Sequence, residues 1–171
     1  MADELIRNSR LNFIILRLNM VYGNRDNNLN KTINIIKKLP FIPIIGNGKS
    51  LIQPVYVEDV VDVIMKCING RLNNKIYDIG GPNSFSFNDY IEIISNELNI
   101  NKPKIHFPRH IFLPFVLTIG RFIKLPITHE LIYSLPQDKI SNIKSAEKEL
   151  DFKPKDFKGT VPYILKEGLV G

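Results

Sequence analysis

Gly48-Lys49-Ser50 is the first place in this sequence where residue types suggest chemistry, because a glycine–lysine–serine triplet ends the loops that wrap phosphates. Such a loop needs a glycine five residues before the second one, where backbone N–H groups begin to close on the phosphate. Position 43 is Pro43, which has no N–H to give, so a phosphate loop is rejected. Gly46-Asn47-Gly48 also begins a dinucleotide fingerprint, yet Leu51 stands where the third glycine belongs. Strand-like Gln53 to Val57 follows instead of a helix, so a tight turn is the better account. No pyrophosphate-binding glycine loop is present in these residues.

Other reactive side chains reduce to structural ones. Glu58, Asp59 and Asp62 resemble an acid/base cluster, but carboxylates at a helix start are expected from capping and the helix dipole. His106 and His110 have Pro108 and Arg109 between them, which spoils a helical pair of metal ligands. Cys67 lies in the apolar run from Val60 to Ile68 and reads as a core thiol. We assign no catalytic residue and no metal ligand on these patterns.

A net charge of +6 and a pI near 9.4 raise the question of an acidic partner. The cations are scattered, however, as Lys37-Lys38, Lys102 and Lys104, then Lys153, Lys155 and Lys158. No aromatic-interleaved stripe joins them, so we read a solvated basic surface and no nucleic-acid partner. The longest apolar stretch, Ile111 to Ile119, is about half a membrane span and contains Pro114, so no transmembrane segment is expected. Met1 leads directly into an acidic helical segment without a signal-peptide pattern, which points to a cytoplasmic, reducing location.

The elements that must carry these residues alternate. Ala2 to Ser9 reads as the end of a helix, and Leu11 to Leu18 as a buried parallel strand. Leu29 to Leu39 has helical spacing. Val55 to Val57 reads as a strand, and Asp59 as the cap of a helix that runs to Asn69 and stops at Gly70. Ile76 to Ile79 is a strand, and Ser86 starts an amphipathic helix through Leu98. This is an α/β layer, the carboxy-terminal portion of a Rossmann-type parallel sheet. We divide the chain into residues 1–100, the partial α/β layer with interleaved substrate-lobe segments, and residues 101–171, a mainly helical lobe broken by prolines.

Three segments carry a resemblance when taken in order. Leu16-Arg17-Leu18-Asn19-Met20-Val21-Tyr22-Gly23 resembles an "LRP-x-x-VYG" segment. Gly46-Asn47-Gly48 through Gln53-Pro54-Val55-Tyr56-Val57-Glu58-Asp59-Val60 resembles "G-x-G … PVYVEDVA", and Tyr77-Asp78-Ile79-Gly80-Gly81-Pro82 with Ser86 resembles "Y-x-I-G-G-P … S". The tail from Ala146 to Pro154 is similar to an "A-x-x-x-L-G-(F/Y)-x-P" ending, with Asp151 in place of glycine. Together they resemble the later half of the extended or atypical short-chain dehydrogenase/reductase superfamily, the epimerase/dehydratase proteins.

That resemblance implies NAD or NADP, held only with an amino-terminal half that supplies the glycine turn. It also implies proton transfer by a Tyr-x-x-x-Lys pair, in which the lysine lowers the tyrosine's pKa. No tyrosine of this sequence has lysine four residues on; Tyr163 and Lys166 are three apart. The loop after the Arg17 strand passes beside the nicotinamide in the family, which nominates Leu18, Asn19 and Met20 as cofactor-binding, with Leu18 replacing a common proline. Asn24, Arg25 and Gln53 are nominated to face substrate. Nucleotide-sugar epimerases place a diphosphate-gripping arginine where this chain has Ile52, and Gln53 follows it. Arg25 or Arg109 would have to compensate. The Gln-Pro pattern instead resembles members related to an accessory subunit of respiratory complex I.

The leading expectation is therefore a carboxy-terminal half of an NAD(P)-dependent epimerase/dehydratase-like oxidoreductase, acting on a hydroxyl or carbonyl substrate and inactive alone. Its alternative is a non-catalytic accessory or assembly scaffold that keeps the fold. The expected partners are the missing amino-terminal half or a second copy, and a small-molecule substrate.

Overall fold

The computed structural model describes residues 2–9, 11–70, 72–108 and 138–167. The apolar piece from Ile111 to Ile119, together with Arg109 and His110, lies outside the described residues.

Helix α1 (Ala2–Asn8) leads to strand β1 (Ile14–Leu18), which passes through Asn19 and Met20 into β2 (Val21–Tyr22). Strand β1 starts at Ile14 and not at Leu11, whose side chain is 70% exposed. Helix α2 (Asn27–Lys38) follows, with the Asp26 carboxylate accepting from the N–H groups of Asn28 and Leu29 at 2.9 and 3.0 Å. That bond pair satisfies two of the donors every helix start leaves open.

Strands β3 (Ile42–Ile45), β4 (Leu51–Ile52) and β5 (Val55–Tyr56) precede helix α3 (Val57–Asn69). Val57 opens that helix and does not end the strand. The expected Asp59 cap is also corrected: Tyr56 is the cap residue, it makes no side-chain cap bond, and Asp59 sits inside the first turn. Strands β6 (Lys75–Ile79) and β7 (Phe85–Ser86) lead to α4 (Phe87–Glu97). Ser86 and Asp89 form a reciprocal capping box there.

Strand β8 (Lys104–Phe107) replaces the short helical piece expected after Pro103. It runs parallel to β3, pairing Ile42 with Lys104 and Ile45 with Phe107. The Ile42 N–H donates to the Pro103 carbonyl and the Gly46 N–H to Phe107, so even-numbered residues of β3 face β8. Pro43 therefore points its missing N–H away from the ladder, where a proline costs no bond. Helices α5 (Lys144–Leu150) and α6 (Phe157–Glu167) complete the described elements.

The parallel pair β1–β6 runs in register from Ile14 opposite Lys75 to Leu18 opposite Ile79. Helix α3 is the crossover between these strands, the βαβ arrangement expected of this layer. Its buried residues Val60 and Val63 pack with Tyr77, Ile79, Ala146 and Leu150, so α3 and α5 share one face of the pair. A second core gathers Tyr22, Ile36, Ile44, Tyr90, Ile94 and Phe157 between α2, α4 and α6. Phe157 is its hub, with its ring 4.9 Å from Tyr22 and 5.1 Å from Tyr90.

Asp151 caps α5 in the left-handed conformation, at φ 44° and ψ 46°. This is the position where the resembling pattern has glycine, the residue that enters that region without steric cost. An L-residue there costs about 1–2 kcal/mol, and the exposed Lys153 pair at 2.7 Å returns little of it. We expect Asp151→Gly to raise unfolding free energy by about 0.5–1 kcal/mol in urea titrations, and an unchanged or lower midpoint would contradict the strain.

Candidate functional site

In open α/β sheets, ligands meet the protein outside the carboxyl ends of the parallel strands. Here those ends belong to β1 and β6, and the side chains beside them are tied to one another. Gln53 is 7% exposed. Its amide nitrogen donates to the Gly81 carbonyl at 2.7 Å, and its amide oxygen accepts from Asn19 Nδ2 at 2.9 Å and from the Ser141 N–H at 2.8 Å. Ser141 Oγ donates in turn to Asn19 Oδ1 at 3.3 Å. Gly81 is required by close approach, because a Cβ there would collide with the Pro54 carbonyl.

The sequence nominated Leu18, Asn19 and Met20 as cofactor contacts. Leu18 ends β1 with 46% of its surface exposed and presents an apolar side chain at the open end of the pair. Asn19 is held in the Gln53 knot, and its N–H donates to the Ile79 carbonyl at 2.9 Å. Met20 accepts from the Val55 N–H at 2.9 Å and packs its side chain against the second core. Gln53, nominated to face substrate, is turned inward. Its amide fills the space between two strand ends and the tail and satisfies groups of the fold on three sides.

Against the NAD that the resemblance implies, the fit is partial. Leu18 offers surface for a flat ring, but the Gly46-Asn47-Gly48 turn is not a phosphate cradle. Gly46-Asn47-Gly48 runs into β4 and not into a helix. Gly48 has φ 66°, and the space a Cβ would take is filled by the Asn88 side chain. Asn88 Nδ2 donates to the Asn47 carbonyl at 3.0 Å, and its N–H to the Gly48 carbonyl at 3.0 Å.

Asn24 and Arg25 stand apart from the knot. Both are exposed and line a cavity of about 520 Å3 with Tyr22, Tyr56, Val57 and Glu58. Lys155 crosses its rim, with Nζ 4.8 Å above the Tyr56 ring and 3.0 Å from Glu58. The cavity thus combines two aromatic rings, a guanidinium and a paired carboxylate. Burial lifts the Tyr22 hydroxyl far above its usual range, and Thr160 is its hydrogen-bond partner, so this tyrosine stays protonated and structural. Arg17 is paired with Asp3 at 2.6 Å.

Asp59 and Ser141 were not singled out for what they do. The Asp59 carboxylate, 5% exposed, accepts from the Lys155 N–H at 2.7 Å and joins the tail to α3. Burial raises its pKa, and the Lys155 N–H and charge oppose that rise. Cys67 is half-buried against the α3 core, and burial raises its thiol as expected of a packing residue. His106 lies in β8 with Nε2 3.2 Å from Asn88 Oδ1.

The model of the NAD dependent epimerase/dehydratase family matches residues 1–80, which hold β1, the Asn19 loop, Gln53 and β6. Residues 1–80 thus show the epimerase/dehydratase relationship that the motif segments suggested. It is 30% identical over 147 residues to NADH dehydrogenase (ubiquinone) 1 alpha subcomplex subunit 9, mitochondrial, of Arabidopsis thaliana, covering 83% of this chain and 35% of that protein. The protein of the same name from Dictyostelium discoideum is 24% identical over 94 residues, 54% of this chain and 26% of the relative. Both names include "mitochondrial", which overturns the cytoplasmic location read from the sequence.

Among solved structures, UDP-glucose 4-epimerase of Thermotoga maritima with UDP-glucose aligns at a TM-score of 0.68 and 17% identity, covering 98% of this chain and 50% of that one. The Thermus thermophilus UDP-glucose 4-epimerase complex with NAD aligns at 0.67 and 15% identity, again over 98% and 50%. These likenesses establish the fold. The chain spans 35% and 26% of the two curated relatives and half of the solved neighbours.

Two substitutions test the site. Gln53→Leu removes the partner of the Gly81 carbonyl, of the Ser141 N–H and of Asn19 Nδ2, at about 1–3 kcal/mol for each that stays buried. A loss of about 3 kcal/mol in denaturant titrations is expected, and a change below about 0.5 kcal/mol would show that the knot carries no load. Asp59 has a folded pKa above its ordinary 3.8, so the folded chain retains a proton that the unfolded chain has released. Its favourable contribution is complete below the unfolded value and disappears as pH rises through the folded one. Asp59→Asn keeps an acceptor for the Lys155 N–H and removes this step. The variant should therefore gain on the parent as pH rises above that ordinary value, with parallel stability curves as the contrary result.

Proposed function

We propose that this chain is a non-catalytic accessory part of a respiratory NADH dehydrogenase assembly, retaining the epimerase/dehydratase fold as a scaffold. The observation that carries this reading is the Gln53 knot. At the strand ends where this fold meets its ligands, the polar side chains of Asn19, Gln53 and Ser141 are bound to one another and to the backbone. A catalytic crevice needs such groups aimed at a substrate, held ready for the reacting atoms.

Ile52 supports the same conclusion. It is 6% exposed and pairs with Phe85, so the position that resembles the diphosphate-binding arginine is a core residue. The two curated relatives are named as subunits of that dehydrogenase, which implies partner subunits and a mitochondrial setting. NAD, held by a completed fold with Leu18 near its ring, would then be structural.

The cavity beside Asn24 and Arg25 favours a second reading, a half of an oxidoreductase that binds a small hydroxyl- or carbonyl-bearing substrate when completed. Arg25 would supply the charge that Ile52 cannot. The two readings separate by native-gel fractionation of mitochondria from the source cell, with mass spectrometry of each band. The accessory reading expects the chain to migrate with NADH dehydrogenase subunits, and Arg25→Ala to leave NADH oxidation by that assembly unchanged. Migration apart from those subunits, with NAD-dependent turnover of UDP-glucose in its own band, would overturn it.

A further inference from the structure

Asn-Gly occurs twice in this chain, as Asn47-Gly48 and as Asn69-Gly70. An asparagine side chain can be attacked by the main-chain nitrogen that follows it, and glycine hinders that approach least because it has no Cβ. By sequence the two pairs are equivalent. Their surroundings are not.

Asn69 is the last residue of α3, and the Gly70 N–H donates to the Lys66 carbonyl at 2.9 Å. Helical side chains lean toward the helix start, so the Asn69 amide is carried away from the nitrogen it would have to meet. Removing the Gly70 proton would also break the bond that closes the last turn. Asn47, by contrast, is exposed in the turn between β3 and β4. Its Oδ1 accepts from the Lys49 N–H at 3.0 Å, an Asx turn that folds the side-chain amide back over the Gly48 peptide. That N–H stands where negative charge gathers when Cγ is attacked, the place of a donor in an oxyanion site. The Gly48 N–H donates to no acceptor among the described residues, so its proton leaves without breaking a bond. Asn88 Nδ2 donates at 3.0 Å to the Asn47 carbonyl, which belongs to the same peptide as the Gly48 nitrogen. This bond draws charge from that nitrogen and makes its proton easier to lose.

We propose that Asn47 is a site of spontaneous modification, converting to aspartate and isoaspartate through a succinimide, while Asn69 keeps its amide. The Gly48 nitrogen gives up its proton and bonds to Asn47 Cγ. The Cγ–Nδ2 bond then breaks, and Nδ2 takes up a proton and leaves as ammonia. Water opens the ring at either carbonyl. One water enters, one ammonia departs, and no oxidant or cofactor takes part. The aspartate product keeps an acceptor for the Lys49 N–H and adds one negative charge to a chain of net charge +6. The isoaspartate product routes the main chain through Cβ and Cγ, one carbon longer, and turns the carbonyl that Asn88 Nδ2 holds into a free carboxylate. That product loosens the turn from the start of α4, where the Asn88 N–H also donates to the Gly48 carbonyl. The site uses only this chain's own residues, so it stands apart from both functional readings.

The full chain is incubated in mildly alkaline buffer at body temperature, and its tryptic peptides are followed by mass spectrometry over days. The peptide from Leu39 to Lys49 should gain about 1 Da, in aspartate and isoaspartate forms, at least tenfold faster than the peptide from Cys67 to Arg71. In the chain unfolded by urea the two rates should converge, because there both pairs are free. Asn88→Asp removes the donor to the Asn47 carbonyl and adds a negative charge, yet suits the first turn of α4. It should slow conversion at Asn47 at least threefold, and an Asn69 that stays slow shows the variant to be folded. Two results overturn the proposal: Asn69 converting as fast as Asn47 in the folded chain, or Asn47 keeping its amide while the urea-unfolded chain loses it. An Asn47 rate that Asn88→Asp leaves unchanged or raises overturns the activation assigned to Asn88.

Discussion

The buried amide of Gln53 joins parts of the chain that no local rule would join. One planar group holds the loop after β1 through Asn19, the end of β6 through Gly81 and the tail through Ser141. A buried primary amide must find partners or forfeit its hydration, and here the satisfaction is reciprocal. Everything at the carboxyl ends of the strands follows from it. Pro54 presses its carbonyl against Gly81, Val55 bonds back to Met20, and residues 138–141 lie along β4 through the Lys139 N–H and the Asp138 carboxylate. The tail is thereby drawn over the place where a ligand of this fold would enter.

Motif segments were legible in the sequence because each marks a strand end with a backbone need. Tyr22-Gly23, Val55-Tyr56 and Ile79-Gly80-Gly81 all fall where strands stop and close contacts begin, and the strands and helices read up to Leu98 are present, with the short strands β2, β3, β4 and β7 added to them. Two features escaped for definable reasons. The partners of Gln53 lie 28, 34 and 88 residues away, so no local pattern announced its hydrogen-bonded knot. Strand β8 is flanked by Pro103 and Pro108, which read as breaks, yet its pairing is imposed by β3 from 62 positions earlier, Ile42 opposite Lys104. Non-local pairing overrides local punctuation, a known weakness of propensity arguments.

The charge pattern bears on the same surface as the packing. Charged side chains of the tail are drawn into specific contacts, Lys155 with Glu58 and Asp59 and Glu149 with Lys75, which secure α5 and the segment before α6 to α3 and β6. These exposed pairs add little stability singly. Their effect is positional: they hold α5 on one flank of α3 and so leave an apolar stripe, Val57, Val61, Ile64 and Ile68, on the other. A soluble monomer rarely keeps a contiguous apolar face of that kind open.

A scaffold and an enzyme place opposite demands on such a fold. An enzyme keeps polar groups unpartnered until substrate arrives, and loses stability by doing so. This chain has Asn19, Gln53 and Ser141 fully engaged, Ile52 in the core, and Gly48 closed by Asn88. Each is a choice for cohesion at a position where catalysis would ask for exposure. Among the described residues the edge of β1, the apolar stripe of α3 and the cavity beside Asn24 and Arg25 stay open.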